Sequence, residues 1–202
     1  MAKQYWKPGN MLYPVPAVMV TCQRKGEQPN IITIAWTGTV CSDPPMVSVS
    51  IQKKRYSYAI IKDTREFVIN LTTKKLAAAT DYCGVRSGRD TDKFADTGLT
   101  PCKSREVSCP GIAESPVNIE CRVTEIKHLG SHDLFLAKVV SVTVEDALMD
   151  KTGRFHLNHS GLLAYSHGSY FELGSQVGAF GYSVRKNQRI VRRKRVIKHK
   201  VA

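Results

Sequence analysis

The sequence contains no Cys-x-x-C pair; its six cysteines stand apart as Cys22, Cys41, Cys83, Cys102, Cys109 and Cys121. Zinc ribbons and the common iron–sulfur sites therefore lack their ligand spacing. His156 and His159 are near each other but have no further ligands beside them, so no metal site is expected. No apolar run reaches the roughly eighteen residues of a membrane-crossing helix. No Gly-Lys-Ser/Thr run closes a Walker-type phosphate loop. Met1–Asn10 is polar and aromatic, without the basic-then-apolar layout of a secretory leader. A cytoplasmic protein with free thiols is the expectation.

Acidic residues are also scarce, 17 against 30 Lys and Arg, for a net charge of +13. The excess is uneven. Nine of the basic residues lie from Arg185 onward with no acid among them, which leaves the remainder at +4. Residues 185–202 thus read as a basic C-terminal tail, disordered or peripheral, on a single domain spanning 1–184. A lysine- and arginine-rich end attracts phosphate backbones. This one has no interleaved aromatics for base stacking, so any nucleic-acid binding is expected to be weak and salt-sensitive.

With 202 residues, 42% of them hydrophobic, one domain with a real core is affordable. Short β-prone runs dominate: 17–22, 30–36, 46–51, 66–71, 117–127 and 134–144. The strict alternation in Met46–Ile51 marks a strand with one buried face. Ser57–Asp63 predicts a helix with Ser57 as its N-cap, and Thr73–Tyr82 a second helix capped by Thr73. Cys83–Asp90 predicts a loop, and Asp92–Asp96 a short helix ending near Gly98. His128–Asp133 reads as a hairpin connection, and 146–183 as glycine-rich and irregular. Many short strands with two or three helices predict a closed β-barrel with helical insertions.

Four clusters could carry chemistry. Around Asn30 and Ile34–Thr39, small residues would let a flat ring approach the backbone; alternatively Trp36 is core and Gly38 a turn. In Ser50–Ser57, Lys53, Lys54 and Arg55 precede a helix start. Free N–H groups there and an arginine fork suit a phosphate monoester. The plain alternative is a solvated basic turn. Cys83–Phe94, with two glycines and three cations, reads either as a lid over an anion or as a surface loop. His132, in Gly130-Ser-His132, reads either as a ligand contact at a barrel mouth or as an exposed side chain.

Taken in order, these segments resemble the flavin reductase-like family, with its FMN-binding split barrel. The telling stretches are Pro16–Thr21, Pro29–Gly38, Asp43–Ile51, Arg55–Ser57, Glu66–Leu71, Ser87-Gly88, Asp92–Phe94 and Gly130–His132. The resemblance runs from Pro14 to Tyr182 and is nearest to flavoredoxin-type members. It implies a mainly β, Greek-key barrel and a noncovalent FMN, with FAD also admissible. It further implies NAD(P)H as donor, a homodimer with the flavin near the interface, and a free flavin, metal or partner protein as acceptor. An electron carrier that never touches NAD(P)H is the other reading. By the same resemblance, Asn30, Ala35, Trp36 and Thr37 border the flavin ring. Ser50, Ile51, Arg55, Tyr56 and Ser57 hold the ribityl chain and phosphate. Lys93 and His132 close the site and tune the flavin, and Tyr165 flanks it. Ser131 stands where the family has Asp. Cys41, just after the ring-lining segment, reads either as a small hydrophobe or as a redox neighbour.

Overall fold

The computed structural model describes residues 1–184. The basic tail, and the nucleic-acid reading that depends on it, lie outside the described residues.

The main sheet is antiparallel and has seven strands: β2 (Val18–Cys22), β3 (Asn30–Ile34), β4 (Thr37–Ser42), β5 (Pro45–Gln52), β6 (Glu66–Leu71), β9 (Val117–His128) and β10 (His132–Val144). Their spatial order is β3-β2-β6-β9-β10-β5-β4. The two edge strands, β3 and β4, are consecutive in the chain and joined only by Ala35 and Trp36. So short a link forces the two edges of the sheet to meet, and the sheet curls into a barrel with its seam at Ala35–Trp36. The N–H of Ser50 on β5 donates to the Trp36 carbonyl at 2.9 Å, extending the β4–β5 pairing up to this seam.

Inside the barrel the alternation of β5 does what its sequence requires: Val47, Val49 and Ile51 are buried. They join Phe67, Phe135, Ala137 and Cys121 in one cluster, which also takes Tyr58, Ile60 and Ile61 from helix α1 (Tyr56–Thr64). The other face of β2 and β3 is covered by α2 (Ala77–Val85) and α3 (Lys93–Thr97) through Met19, Ile31, Leu76, Cys83 and Phe94. Burial on both faces explains why these two strands read as nearly continuous apolar runs. A smaller sheet pairs β1 (Val15–Pro16), β11 (Leu163–Ser166) and β12 (Ser169–Glu172), and β7 (Pro101–Cys102) pairs with β8 (Gly111–Ile112).

Several sequence expectations need correction. Ser57 does not cap α1: Arg55 holds the N-cap position, no side chain caps the helix, and the Ser57 hydroxyl instead accepts from Asn30 Nδ2 at 2.7 Å. A buried tertiary hydrogen bond wins over the local cap. The second helix is divided into a 3-10 turn, Lys74–Leu76, and α2. Thr73 precedes the turn without a side-chain cap bond. α2 then runs through Cys83–Val85, expected as loop, because Cys83 packs in the core. His132 and Asp133 begin β10 rather than belong to the connection. The stretch 146–183 contains the β11–β12 hairpin, turned at His167 and Gly168, both with positive φ (47° and 82°), which suits the right-handed twist of paired strands. Asp92 does start α3, its Oδ1 accepting from the N–H groups of Phe94 and Ala95.

Candidate functional site

One chamber opens at the seam and a second lies beside the first. The first, ≈450 Å³, is lined by Ile32–Trp36, Ser50–Gln52 and Arg55 from the barrel rim, by Asp81, Gly84 and Val85 of α2, by His132, and by Tyr13, Tyr165, Gly168 and Tyr170. The second, ≈360 Å³, is lined by Asn30, Lys54, Arg55, Tyr56, Ser57, Arg86, Ser87, Gly88, Arg89 and Lys93. Ile32, Arg55 and Val85 line both, so the chambers are adjacent and share a wall.

The first chamber is walled by the rings of Tyr13, Trp36, His132, Tyr165 and Tyr170 and is termed the ring chamber for that lining. Trp36 is 40% exposed, and its ring centroid is 4.5 Å from that of His132. Burial lowers the His132 pKa, which favours the neutral imidazole. On the opposite, inner face of β10 the next residue, Asp133, is fully buried and accepts from the Tyr58 hydroxyl at 2.6 Å. His128 Nδ1 is 2.8 Å from the same Oδ2, and Lys53 Nζ is 3.5 Å from Oδ1. Burial pushes that carboxyl up, but the Tyr58 and His128 hydrogen bonds and the nearby cations outweigh it and hold the pKa below the usual range.

The second chamber is cationic. Lys54, Arg55, Arg86, Arg89 and Lys93 all line it, and among its described lining residues there is no Asp or Glu. Lys93 is 3% exposed, and its Nζ donates to the carbonyls of Ile31 (2.6 Å) and Cys83 (2.8 Å). Burial lowers its pKa to about 8. Its charge has no carboxylate partner there. Arg55 Nη2 donates to the Gly84 carbonyl at 2.5 Å, tying the start of α1 to α2. The Arg89 guanidinium lies 5.7 Å from the Tyr56 ring centroid. Gly88 passes so close to the wall that a Cβ there would meet Asn30 Oδ1 at 1.9 Å and Tyr56 Cδ1 at 2.9 Å.

The structure thus gathers eleven of the twelve sequence candidates around one cleft: Asn30, Ala35, Trp36, Ser50, Ile51, Arg55, Tyr56, Ser57, Lys93, His132 and Tyr165. Thr37 stands outside it. Its hydroxyl donates to the Ser48 carbonyl at 2.7 Å, and it lines a third depression with Met11, Leu12 and Val40. Lys93 faces the cationic chamber rather than the ring chamber. Cys41 lines none of the three. Tyr13, Asp81 and Tyr170 were not singled out from the sequence. Arg86 and Arg89 belong to the cation-rich loop the sequence did mark.

A barrel closed at a two-residue seam, with helices over one side and a divided cleft at the rim, defines a split-barrel protein. The chain belongs to the flavin reductase like domain family, whose model matches residues 10–174. An uncharacterized protein of Archaeoglobus fulgidus is 31% identical over 164 residues, covering 81% of this chain and 90% of its own. Flavoredoxin of Desulfovibrio vulgaris (Miyazaki F) superposes with a TM-score of 0.83 at 26% identity, covering 91% of this chain and all of its own. An FMN-binding protein from Thermus thermophilus, solved with 1-cyclohex-2-enone, has a TM-score of 0.75 at 25% identity and covers 88% of this chain and 99% of its own.

Proposed function

We propose that this protein is an oxidoreductase that holds a noncovalent FMN in the divided cleft and moves electrons from NAD(P)H through it to an acceptor. The observation that carries the reading is Lys93: a buried cation with no carboxylate partner among the described residues, in a chamber of five cations, next to a chamber sized for a ring. A phosphate dianion is the missing counter-charge. Unpaired buried charge is costly, and an arginine fork beside a helix N-terminus suits a phosphoryl group. The residues therefore fit the cofactor that the family implies.

In this reading Arg55, Ser57 and Lys93 hold the phosphate, with Arg86 and Arg89 closing from the loop. Ser50, Ile51 and Tyr56 bracket the ribityl chain. Asn30, Ala35, Trp36, His132 and Tyr165 border the ring, and neutral His132 packs on Trp36. Thr37 has no part in it. The chemistry such a group supplies, transfer of one or two electrons, is the cofactor's own, so the chain needs no nucleophile or acid–base pair.

Trp36, Ala35 and Ser50 also line the third depression, whose rim exposes Met11, Leu12 and Val40. An apolar patch next to the ring chamber supports a homodimer with the flavin near its interface. The six unpaired thiols suit a reducing, cytoplasmic setting. Among the described residues no helix is long and apolar enough to cross a membrane.

A flavoredoxin-type carrier without NAD(P)H activity is the second reading, favoured by the superposition on flavoredoxin. Stopped-flow mixing of the FMN-loaded protein with NADPH and with NADH separates the two. Rapid loss of the oxidised flavin spectrum supports the reductase. A flavin that stays oxidised over minutes with both donors leaves only the carrier. A protein that binds neither FMN nor FAD defeats both.

A further inference from the structure

The ring chamber carries an unused charge. Its lining contains three ionisable side chains that matter here: Arg55, His132 and Asp81. Arg55 borders both chambers and already donates to the Gly84 carbonyl, so a phosphate in the cationic chamber takes its charge. Burial favours neutral His132. Asp81, on α2, is then the uncompensated charge of the ring chamber. It is exposed, and the Tyr170 hydroxyl of β12 donates to its Oδ1 at 3.3 Å. That contact links the helix to the second sheet at the chamber wall.

The same wall is aromatic. Tyr170 and Tyr165 have ring centroids 5.5 Å apart in an edge-to-face arrangement, and Tyr13 lies 6.3 Å from Tyr165. Tyrosine faces favour a planar guest, and their hydroxyls remain polar. We propose that Asp81, braced by Tyr170, is a charge filter on the second-substrate position. It admits planar rings that are neutral or cationic and bear a hydrogen-bond donor, and it rejects ring carboxylates. This rests on the flavin reading of the same cleft and names the substrate class for it.

The test uses three planar probes of nearly equal shape: benzamidine (+1), benzamide (0) and benzoate (−1). Each is titrated into the FMN-loaded protein, and perturbation of the visible flavin spectrum gives its Kd. The wild type should bind benzamidine most tightly and benzoate least. Asp81→Asn should cut the benzoate-to-benzamidine Kd ratio by about threefold or more, since an attraction and a repulsion of the size typical of exposed charges are lost together, with FMN still bound. An equal response of the wild type to all three probes, or to none, overturns the filter. So does a ratio that Asp81→Asn leaves intact. In those cases FMN still binds and the flavin reading survives. Failure of the wild type to bind FMN removes the reading itself, and the filter with it.

Discussion

The Arg55 guanidinium and the Gly84 carbonyl are joined by a 2.5 Å hydrogen bond that sets the boundary between the two chambers. One nitrogen of the fork is fixed to the end of α2, and the rest of the group borders both cavities. Arg55→Ala should therefore weaken FMN by about 1.5–3 kcal/mol, the worth of a charge-assisted hydrogen bond to phosphate. Riboflavin, which has no phosphate, should lose much less. Quenching of flavin fluorescence on titration measures both, and equal losses would remove Arg55 from the phosphate.

Gly88 is the tightest point of the loop. Any Cβ would drive into Asn30 Oδ1 at 1.9 Å, and Asn30 is the donor that fixes the Ser57 hydroxyl. Gly88→Ala must displace either the loop or Asn30. A loss of about 1–3 kcal/mol in stability is expected from such overpacking, together with weaker FMN binding. Gly98→Ala is a contrasting control: its Cβ meets nothing within 4 Å, but its φ is +67°. It should lower Tm by backbone strain while leaving the FMN affinity of the folded protein unchanged. Thermal melts and flavin titrations of both variants check the pair.

The contrast between these elements shows what the sequence could reveal. β5 and β6 were readable because each presents a buried apolar series to a single core. β4 was not, since Gly38, Thr39, Val40 and Ser42 are exposed and the strand is held chiefly by pairing with β5. The cationic side of the cleft was legible because Lys54, Arg55 and Ser57 are neighbours in the chain. The opposite wall was not. Tyr13 and Tyr170 come together only because Val15 pairs with Tyr165 in a sheet whose first strand has two residues, too short to leave a periodic signal. Ser57 lines the cationic chamber but does not take the capping role expected of it, because its partner, Asn30, is 27 residues away.

The buried ammonium of Lys93 gives the protein a pH signature. Its pKa in the fold is lowered to about 8 from an ordinary 10.5, with burial as the leading cause. Between those values the unfolded chain binds the extra proton, so this residue's contribution to stability of the flavin-free protein rises with pH across that window. Below about 8 the lysine is charged in both states and the cost of burying it is constant. Phosphate binding works the other way, because it favours the charged form. FMN affinity should fall several-fold as pH rises through about 8, and the fall should vanish in Lys93→Met. Denaturant titrations of the flavin-free forms, with FMN titrations across the same pH range, read both trends. Parallel behaviour of the wild type and Lys93→Met would show that another group is responsible.

Asp133 offers the opposite sign. Its Oδ2 is satisfied by the Tyr58 hydroxyl and by His128, and its Oδ1 has no hydrogen-bond partner, only Lys53 at 3.5 Å. A carboxyl held below its ordinary pKa stabilises the fold above that ordinary value. The contribution is lost as pH falls through the lowered one, so Asp133 adds to acid unfolding below about pH 4. Tyr58→Phe removes the 2.6 Å donor while keeping the ring against Phe135, whose centroid is 5.5 Å away. The packing survives and the buried carboxylate loses its best partner, so stability at neutral pH should fall by about 1–3 kcal/mol. The variant should also unfold at a higher pH than the wild type in acid titration. The pair Tyr58→Phe with Asp133→Asn should be clearly non-additive, since the tyrosine hydroxyl stabilises the native state through that charge. Additive losses would mean that the hydroxyl and the carboxylate act independently.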